Sequence, residues 1–435
     1  MKISNKRRIQ IPIKEIVKRS NRDVACRRTG VENRVKENRE LENTMIENSM
    51  LENGLVEKLQ EWFQGNARVL PWRETPTAYR VWVSEIMLQQ TRVEAVKPYF
   101  DRFIRELPDV PSLAECPEDK LLKLWEGLGY YNRVRNMKIA AGQVMEAYGG
   151  QFPSDYEELL KLKGIGNYTA GAISSIAYGK AVPAVDGNVL RVITRVTADD
   201  SDIMKESTKK RIENSLFTIM NTVQEGKNAV IPSIFNQALM ELGATVCVPN
   251  GAPHCDKCPW NGLCEARRQN RIAEIPVKTK AKERKIENKT ILVIKDGEQL
   301  ALHKRPGKGL LAGLYELPNI EGHQNEDAIL DYVRAQGYEP VRIQPLCDAK
   351  HIFSHVEWHM KGYAVFLASR ELQTERNSYE AFDREGAGVV NPAKCKNDWI
   401  FVEVEDTKKD YAIPSAFSKY AEYLNLVLGK NVFEK

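Results

Sequence analysis

The sequence predicts a multidomain chain, an all-α domain followed by an α+β domain, and three observations predict it. Apolar residues recur at helical spacing from Leu55 onward, almost no strand-like alternation occurs before residue 285, and after Thr290 the texture changes to short strands, a hairpin and isolated helices. At 435 residues, 42% apolar and 28% charged, the chain has room for two or three domains that each bury a core. A purely disordered, collagenous or membrane-spanning protein is excluded by the same figures.

From the N-terminus, residues 1–53 read as an appendage. They carry 13 Lys+Arg against 8 Asp+Glu, which is the whole of the chain's +5 formal charge. Net charge therefore cannot argue that the folded part binds nucleic acid. A Glu-Asn pair recurs every five residues at 32, 37, 42, 47 and 52, a period that matches neither helix nor strand and so cannot line up one buried face. The stretch is expected to be a disordered low-complexity tail, its basic portion either solvated or a nucleic-acid-binding arm or address signal.

Leu55, Leu59, Trp62 and Phe63, at i, i+4, i+7 and i+8, open a helical domain over 54–270 whose periodicity continues through Val81–Val96 and Leu121–Tyr148. Glu85 lies there among Val81, Val83, Ile86 and Leu88; it is either a buried glutamate paired to an arginine or a carboxyl held with a raised pKa. Leu159–Ala170 reads as a helix, a two-glycine hairpin and a second helix opening at Asn167. Gly164 and Gly166 permit backbone conformations closed to other residues and leave N–H groups uncovered where a phosphate can dock; the alternative is a plain tight turn. Twenty residues beyond Gly166, Asp186 stands among apolar residues at a helix start, as an N-cap or as a placed carboxylate.

Eight cysteines are present, and four of them, Cys247, Cys255, Cys258 and Cys264, fall within eighteen residues. That clustering points to one metal site in a reducing compartment rather than a disulfide framework, with zinc and a [4Fe–4S] cluster both admissible. Residues 271–290, with seven positive charges against three negative and Pro276, read as an extended basic linker. The second domain, 291–435, takes strands at Thr290–Ile294, Leu300–His303 and His359–Leu367, a tight turn at Asp296-Gly297 and a helix at Asp327–Gln336. His351, His355 and His359 have helical metal-ligand spacing, but Val356, Trp358 and Met360 alternate with them and favour a strand. No stretch of eighteen uncharged apolar residues and no apolar signal region is present, so a soluble intracellular protein is expected, cytoplasmic and nucleoid-associated in a bacterium.

The hairpin and the Val182–Arg191 segment together resemble the helix-hairpin-helix base-excision DNA glycosylases. Upstream, Val83-Ser84-Glu85-Ile86-Met87-Leu88-Gln89-Gln90-Thr91-Arg92 and Gly127-Leu128-Gly129-Tyr130-Tyr131 resemble motifs of the adenine DNA glycosylases, the MutY family. The resemblance spans 55–435 and implies a fold of helix-hairpin-helix domain, iron–sulfur loop and Nudix-like domain. It implies that Glu85 protonates N7 of adenine, that ionised Asp186 stabilises the oxocarbenium ion, and that Tyr168 and Asn188 position these groups and a water. Glycosylases that also cut the strand carry a lysine at the position of Tyr168, so a monofunctional enzyme is implied. It further implies DNA contacts at Arg73, Gln90, Thr91, Leu128, Tyr130, Gly164 and Gly166, with Gln90 and Tyr130 wedged beside the estranged base.

The four cysteines then hold a [4Fe–4S] cluster, although the first gap, Val248–His254, has seven residues where the family has six. Arg305–Pro318 resembles the opening of the Nudix fold, but Arg334 and Ala335 fall where the metal-binding glutamates belong, so no pyrophosphate hydrolysis is expected. The lesion-reading loop matches His351–His355. Phe353, Ser354 and His355 would meet 8-oxoguanine, whose N7 donates where guanine's accepts; a serine hydroxyl can do both. The implied partner is duplex DNA with 8-oxoguanine:adenine or guanine:adenine mispairs, bound by a monomer without a membrane, any clamp or other repair protein being left open. Rival readings are an endonuclease III-like glycosylase/lyase and a silent lesion-binding or redox-sensing protein.

Overall fold

A computed structural model describes residues 54–222, 229–279, 283–369 and 398–423; the tail 1–53 lies outside them. By packing, the chain divides into two compact units, each assembled from two separate stretches: 1–68 with 170–279, and 69–169 with 280–435. The cut at 279/280 falls inside the expected linker 271–290, whereas those at 68/69 and 169/170 run through the helical domain read from the sequence. Part of the supposed linker is also structured. Ile275 is buried, its carbonyl accepts from Arg195 Nε at 2.8 Å, and the Val277 carbonyl accepts from the Ile203 N–H. Strand β1 begins at Lys285, because Lys285, Glu287 and Lys289 occupy the exposed end of a strand whose other end is apolar, and so look linker-like in sequence.

In the first unit the Leu55–Asn66 helix buries Leu55, Val56, Leu59 and Phe63 on one stripe, as the periodicity predicts. That stripe packs into a core with Val189, Ile193, Leu216, Phe235 and Leu239 from the helices Gly187–Thr197, Glu206–Thr222 and Pro232–Thr245. Trp260, fully buried beside the cysteine loop, donates its indole N–H to the Leu55 carbonyl at 2.8 Å. Arg68 grips the buried Glu241 through two parallel hydrogen bonds of 2.6 and 3.0 Å, the strong bidentate arrangement.

The second unit joins helices of 69–169 to a mixed seven-stranded sheet. The Ala78–Leu88 helix buries Tyr79 and every residue from Val81 to Met87, so it is a core helix rather than a surface one. Around it pack Val93–Glu106 and Asn132–Tyr148, with Phe103 edge-on to Trp125. The strands β2 (Gln299–Lys304), β3 (Tyr315–Glu316), β5 (Pro340–Ile352) and β6 (Val356–Leu367) give the order β3-β2-β1-β6-β5, with β4 (Asn319–Glu321) also on β1 and β7 (Trp399–Glu403) on β2. β1 (Lys285–Asp296) and β6 (Val356–Leu367) are parallel; the β1–β2 hairpin turns at Gly297, φ 58°. Ile291 and Val293 face one core with Trp358 and Phe417, while Leu292 and Ile294 face another with Ile329 and Val333 of the Glu326–Ala335 helix. Both faces are covered, which is why 291–294 is a continuous apolar run.

Buried polar groups fasten the sheet to the helices of this unit. Lys123 Nζ donates to the carbonyls of Thr407 and Tyr411 and to Glu126 at 2.6 Å; the other Glu126 oxygen accepts the Ile413 N–H at 2.8 Å. Burial holds the Glu126 pKa up, outweighing the Lys123 charge and the Ile413 N–H. Arg135 adds a 2.6 Å bond to the Ala312 carbonyl.

Candidate active site and nucleic-acid interface

Glu85 stands in the last turn of the Ala78–Leu88 helix, only 6% exposed, and the Tyr168 hydroxyl donates to its Oε2. The sequence placed both residues at the site, and the fold brings them together from 83 positions apart. Gly164 takes φ +79°, and a Cβ there would lie 2.8 Å from Asn136 Cβ, so the hairpin needs glycine both for its turn and for close approach to the Asn132–Tyr148 helix. Gly166 differs from expectation. It is exposed, it is not in the glycine-only region, and a side chain would meet nothing. Lys161 pairs with Glu158 at 2.6 Å on the surface.

Beyond Leu88 the chain turns through Gln90, exposed at φ 60°, and Thr91; Tyr130 projects at φ 48° and is 47% exposed. Leu128 departs from its expected role, since its side chain is 6% exposed and belongs to the core, placed there because the following Gly129 and Tyr130 make the outward turn. Arg73 is half-buried on the short Pro71–Glu74 helix. Phe353, Ser354 and His355 form the loop between β5 (Pro340–Ile352) and β6, closed by Phe353 N–H to the Val356 carbonyl at 2.8 Å. This strand–loop–strand rules out the helical histidine triad; His359 instead bonds Glu357 at 2.7 Å. A cavity of about 670 Å³ is lined by Gly129–Arg133, Leu310–Ala312, His351–His355 and Pro414–Ala416, and across it Ser354 Oγ lies 3.4 Å from the Tyr130 hydroxyl. Burial lowers the His351 pKa, leaving that ring neutral at neutral pH.

Asp186 is built in the first unit, where the cap reading of it holds. Oδ1 caps the Gly187–Thr197 helix by accepting the Val189 N–H at 2.8 Å, and Oδ2 accepts the Asn188 amide at 2.7 Å. Burial raises its pKa; these two donors act against the rise. Asn188 is held in turn by Arg191, which also donates to the carbonyls of Gly243 and Cys247 at 2.8 Å each. Asn236 fixes the approach to Asp186 through Val182 and Ala184. Two glycines allow the segment to sit so close: a Cβ on Gly171 would fall 2.1 Å from the Pro183 carbonyl oxygen, and one on Gly243 2.6 Å from Asn188 Cβ.

Cys247, Cys255, Cys258 and Cys264 are all half-buried free thiols. Burial comes first in raising the pKa of Cys258, to about 12, and the other three thiols add to it, so the four are neighbours. Arg195 brings a guanidinium N–H to 3.3 Å from the Cys247 sulfur. Among the described residues no three His, Cys, Asp or Glu side chains surround a point closely enough to hold one metal ion. Four adjacent thiols beside a buried cation suit a thiolate-ligated group. Arg191, Arg195 and Arg133 escaped the sequence reading; the first two stand one helical turn apart on an apolar helix, the only hint that they turn inward.

Comparison with known proteins converges on the same assignment. Residues 83–216 match the model of the HhH-GPD superfamily base excision DNA repair proteins, and 290–423 that of the NUDIX domain. The chain is 35% identical over 374 residues to the adenine DNA glycosylase of Mus musculus, covering 73% of this chain and 71% of the relative. It is 33% identical over 325 residues to that of Buchnera aphidicola subsp. Baizongia pistaciae, covering 74% and 88% respectively. With a buried glutamate bonded to the hairpin tyrosine, a helix-capping aspartate, a four-cysteine loop and a Nudix-like sheet in their expected order, the chain belongs to the adenine DNA glycosylase family of base excision repair enzymes.

Proposed function

We propose that this adenine DNA glycosylase excises adenine mispaired with 8-oxoguanine or guanine and leaves the sugar–phosphate strand uncut. The observation that carries the lesion preference is the cavity shared by Tyr130 and Ser354. Its serine can accept from the N7–H of 8-oxoguanine, beside the loop expected to enter the duplex. The monofunctional reading is supported by Tyr168, whose hydroxyl is committed to Glu85 and which has no amine to attack the sugar.

Once adenine is extruded, Glu85 gives its proton to N7, the C1′–N9 bond breaks with its electron pair leaving on the base, and positive charge appears on the deoxyribose. Asp186, ionised, stabilises that charge while Asn188 keeps its carboxylate oriented. Water adds at C1′ and releases a proton, giving adenine and an abasic site. Cys247, Cys255, Cys258 and Cys264 are the residues that would hold a [4Fe–4S] cluster, which when bound crosslinks the loop that follows the Pro232–Thr245 helix. Iron and acid-labile sulfide analysis of the purified protein, at four of each per chain, tests that assignment; one zinc per chain would replace it.

The deciding assay is a duplex with one 8-oxoguanine:adenine pair, scored before and after alkali. Strand breaks only after alkali are expected. Breaks without alkali would make the enzyme a lyase, and no breaks at all would remove the lesion assignment.

A further inference from the structure

The Ala78–Leu88 helix ends with carbonyls that no later turn of helix can bond, and its last turn contains no basic residue. One side chain from another helix supplies what is missing. Arg133 Nη1 donates to the carbonyls of Ile86, Met87 and Gln89 at 2.6, 3.3 and 2.7 Å; Thr91 N–H takes that of Leu88. With Nη2 the same guanidinium donates to the carbonyls of Leu128 and Gly129, at 3.0 Å each. Five carbonyls from two separate turns thus meet on one planar group, which also lies 5.4 and 5.5 Å from the centroids of the Trp125 and Tyr130 rings.

The two turns share a second property. Gln90 and Tyr130, at φ 60° and 48°, occupy the left-handed region that L-residues rarely adopt. Such conformations persist where the surroundings over-determine them. Arg133 is the group common to both surroundings, and it is bought dearly: its Nε is buried with no partner among the described residues.

We infer that Arg133 is a positioning residue for base extrusion, fixing the Gln90 and Tyr130 turns as one rigid two-pronged wedge at the end of the helix that carries Glu85. The inference rests on the reading of Gln90 and Tyr130 as the residues that enter the duplex. A lysine keeps the charge, but its single ammonium cannot span five carbonyls in a plane.

The test uses the full-length enzyme and its Arg133→Lys variant on a duplex with one 8-oxoguanine:adenine pair and 2-aminopurine beside the target adenine. The fluorescence rise that follows extrusion is expected to slow roughly ten- to a hundredfold in the variant, and single-turnover excision with it. Affinity for a duplex holding a stable abasic-site analogue, where no base remains to be expelled, is expected to stay within about twofold, against the ~100-fold that misplacement alone can cost a rate. Extrusion at the wild-type rate would overturn the proposal, and so would an equal loss of affinity for the abasic duplex. Loss of the cooperative melting transition would overturn it as well, by making Arg133 a determinant of the fold. Should the wild-type enzyme itself give no fluorescence rise while excising adenine, the wedge reading fails and not the role of Arg133 alone. Hydrogen exchange of the free proteins provides a measurement independent of DNA: amides at 89–91 and 128–131 should exchange faster in the variant, and unchanged exchange there contradicts the assignment.

Discussion

At Asp186 the helix cap and the Asn188 side chain draw on different oxygens, Oδ1 for the Val189 N–H and Oδ2 for the Asn188 amide. Asparagine caps a helix about as well as aspartate, so Asp186→Asn should remain folded while losing the negative charge. Excision by Asp186→Asn and by Glu85→Gln is expected to fall by about 10²–10⁴ or more, with mispair binding retained; activity surviving in either variant removes that residue from the chemistry. Asn188 gives a finer test. Burial raises the Asp186 pKa and the Asn188 amide lowers it, so Asn188→Ala should raise it further. The acidic limb of the single-turnover pH profile, where Asp186 must lose its proton, is then expected to move to higher pH; a limb that stays in place separates Asn188 from the ionisation. Glu85, Tyr168 and Asp186 were legible because each sits in a long ordered motif. Arg133, on the carbonyls that follow Glu85, and Arg191, on Asn188, were not, since sequence alone gives no sign that a cation turns toward carbonyls instead of solvent.

The elements came out of the sequence unevenly, and each discrepancy has a local cause. The β1–β2 hairpin was readable from Asp296-Gly297, and the Glu326–Ala335 helix from its apolar spacing, although its cap, Asn325, shifted the start. The start of β1 was hidden by alternating charges, and the five-residue π-helix Ile173–Ala177 that continues the second hairpin helix leaves no periodic trace. That helix is rich in small residues for a reason visible only in three dimensions, the passage of Pro183 across Gly171. Gly171→Ala is therefore expected to push the Asp186 segment away or to lose about 1–3 kcal/mol of stability through overpacking. Excision and the melting temperature measured together would show it, and a variant normal in both would mean that the backbone yields at no cost.

For the molecule as a whole, charge says little and placement says much. Deleting residues 1–53 removes all of the +5 formal charge, yet selective excision is expected to survive, with only salt-sensitive non-specific binding weakened. If the truncated enzyme lost mispair selectivity, the tail would enter the mechanism. Lys123 is the opposite case, one charge with a large structural consequence. Lys123→Met strands Glu126 in the interior, and breaking a buried pair of this kind costs about 3–5 kcal/mol. Faster hydrogen exchange across 407–413 and a reduced preference for 8-oxoguanine:adenine over guanine:adenine are expected; unaltered exchange would show that the sheet is fastened elsewhere.

The interleaving of the two units also sets a schedule for biosynthesis. The Leu55–Asn66 helix finishes its core only when the Pro232–Thr245 helix and Trp260 exist, and Trp260 lies 205 residues downstream of the carbonyl it bonds. At roughly 5–20 residues per second a ribosome takes on the order of 10–40 s to cover that interval. For much of it the apolar stripe of Leu55, Leu59 and Phe63 waits while the core partners at 189–242 are still being made. The emerging polypeptide must therefore be shielded or tolerate an incomplete first unit while the whole 69–169 stretch is translated. Slowing elongation between the two halves would lengthen that exposure and lower the yield of soluble enzyme.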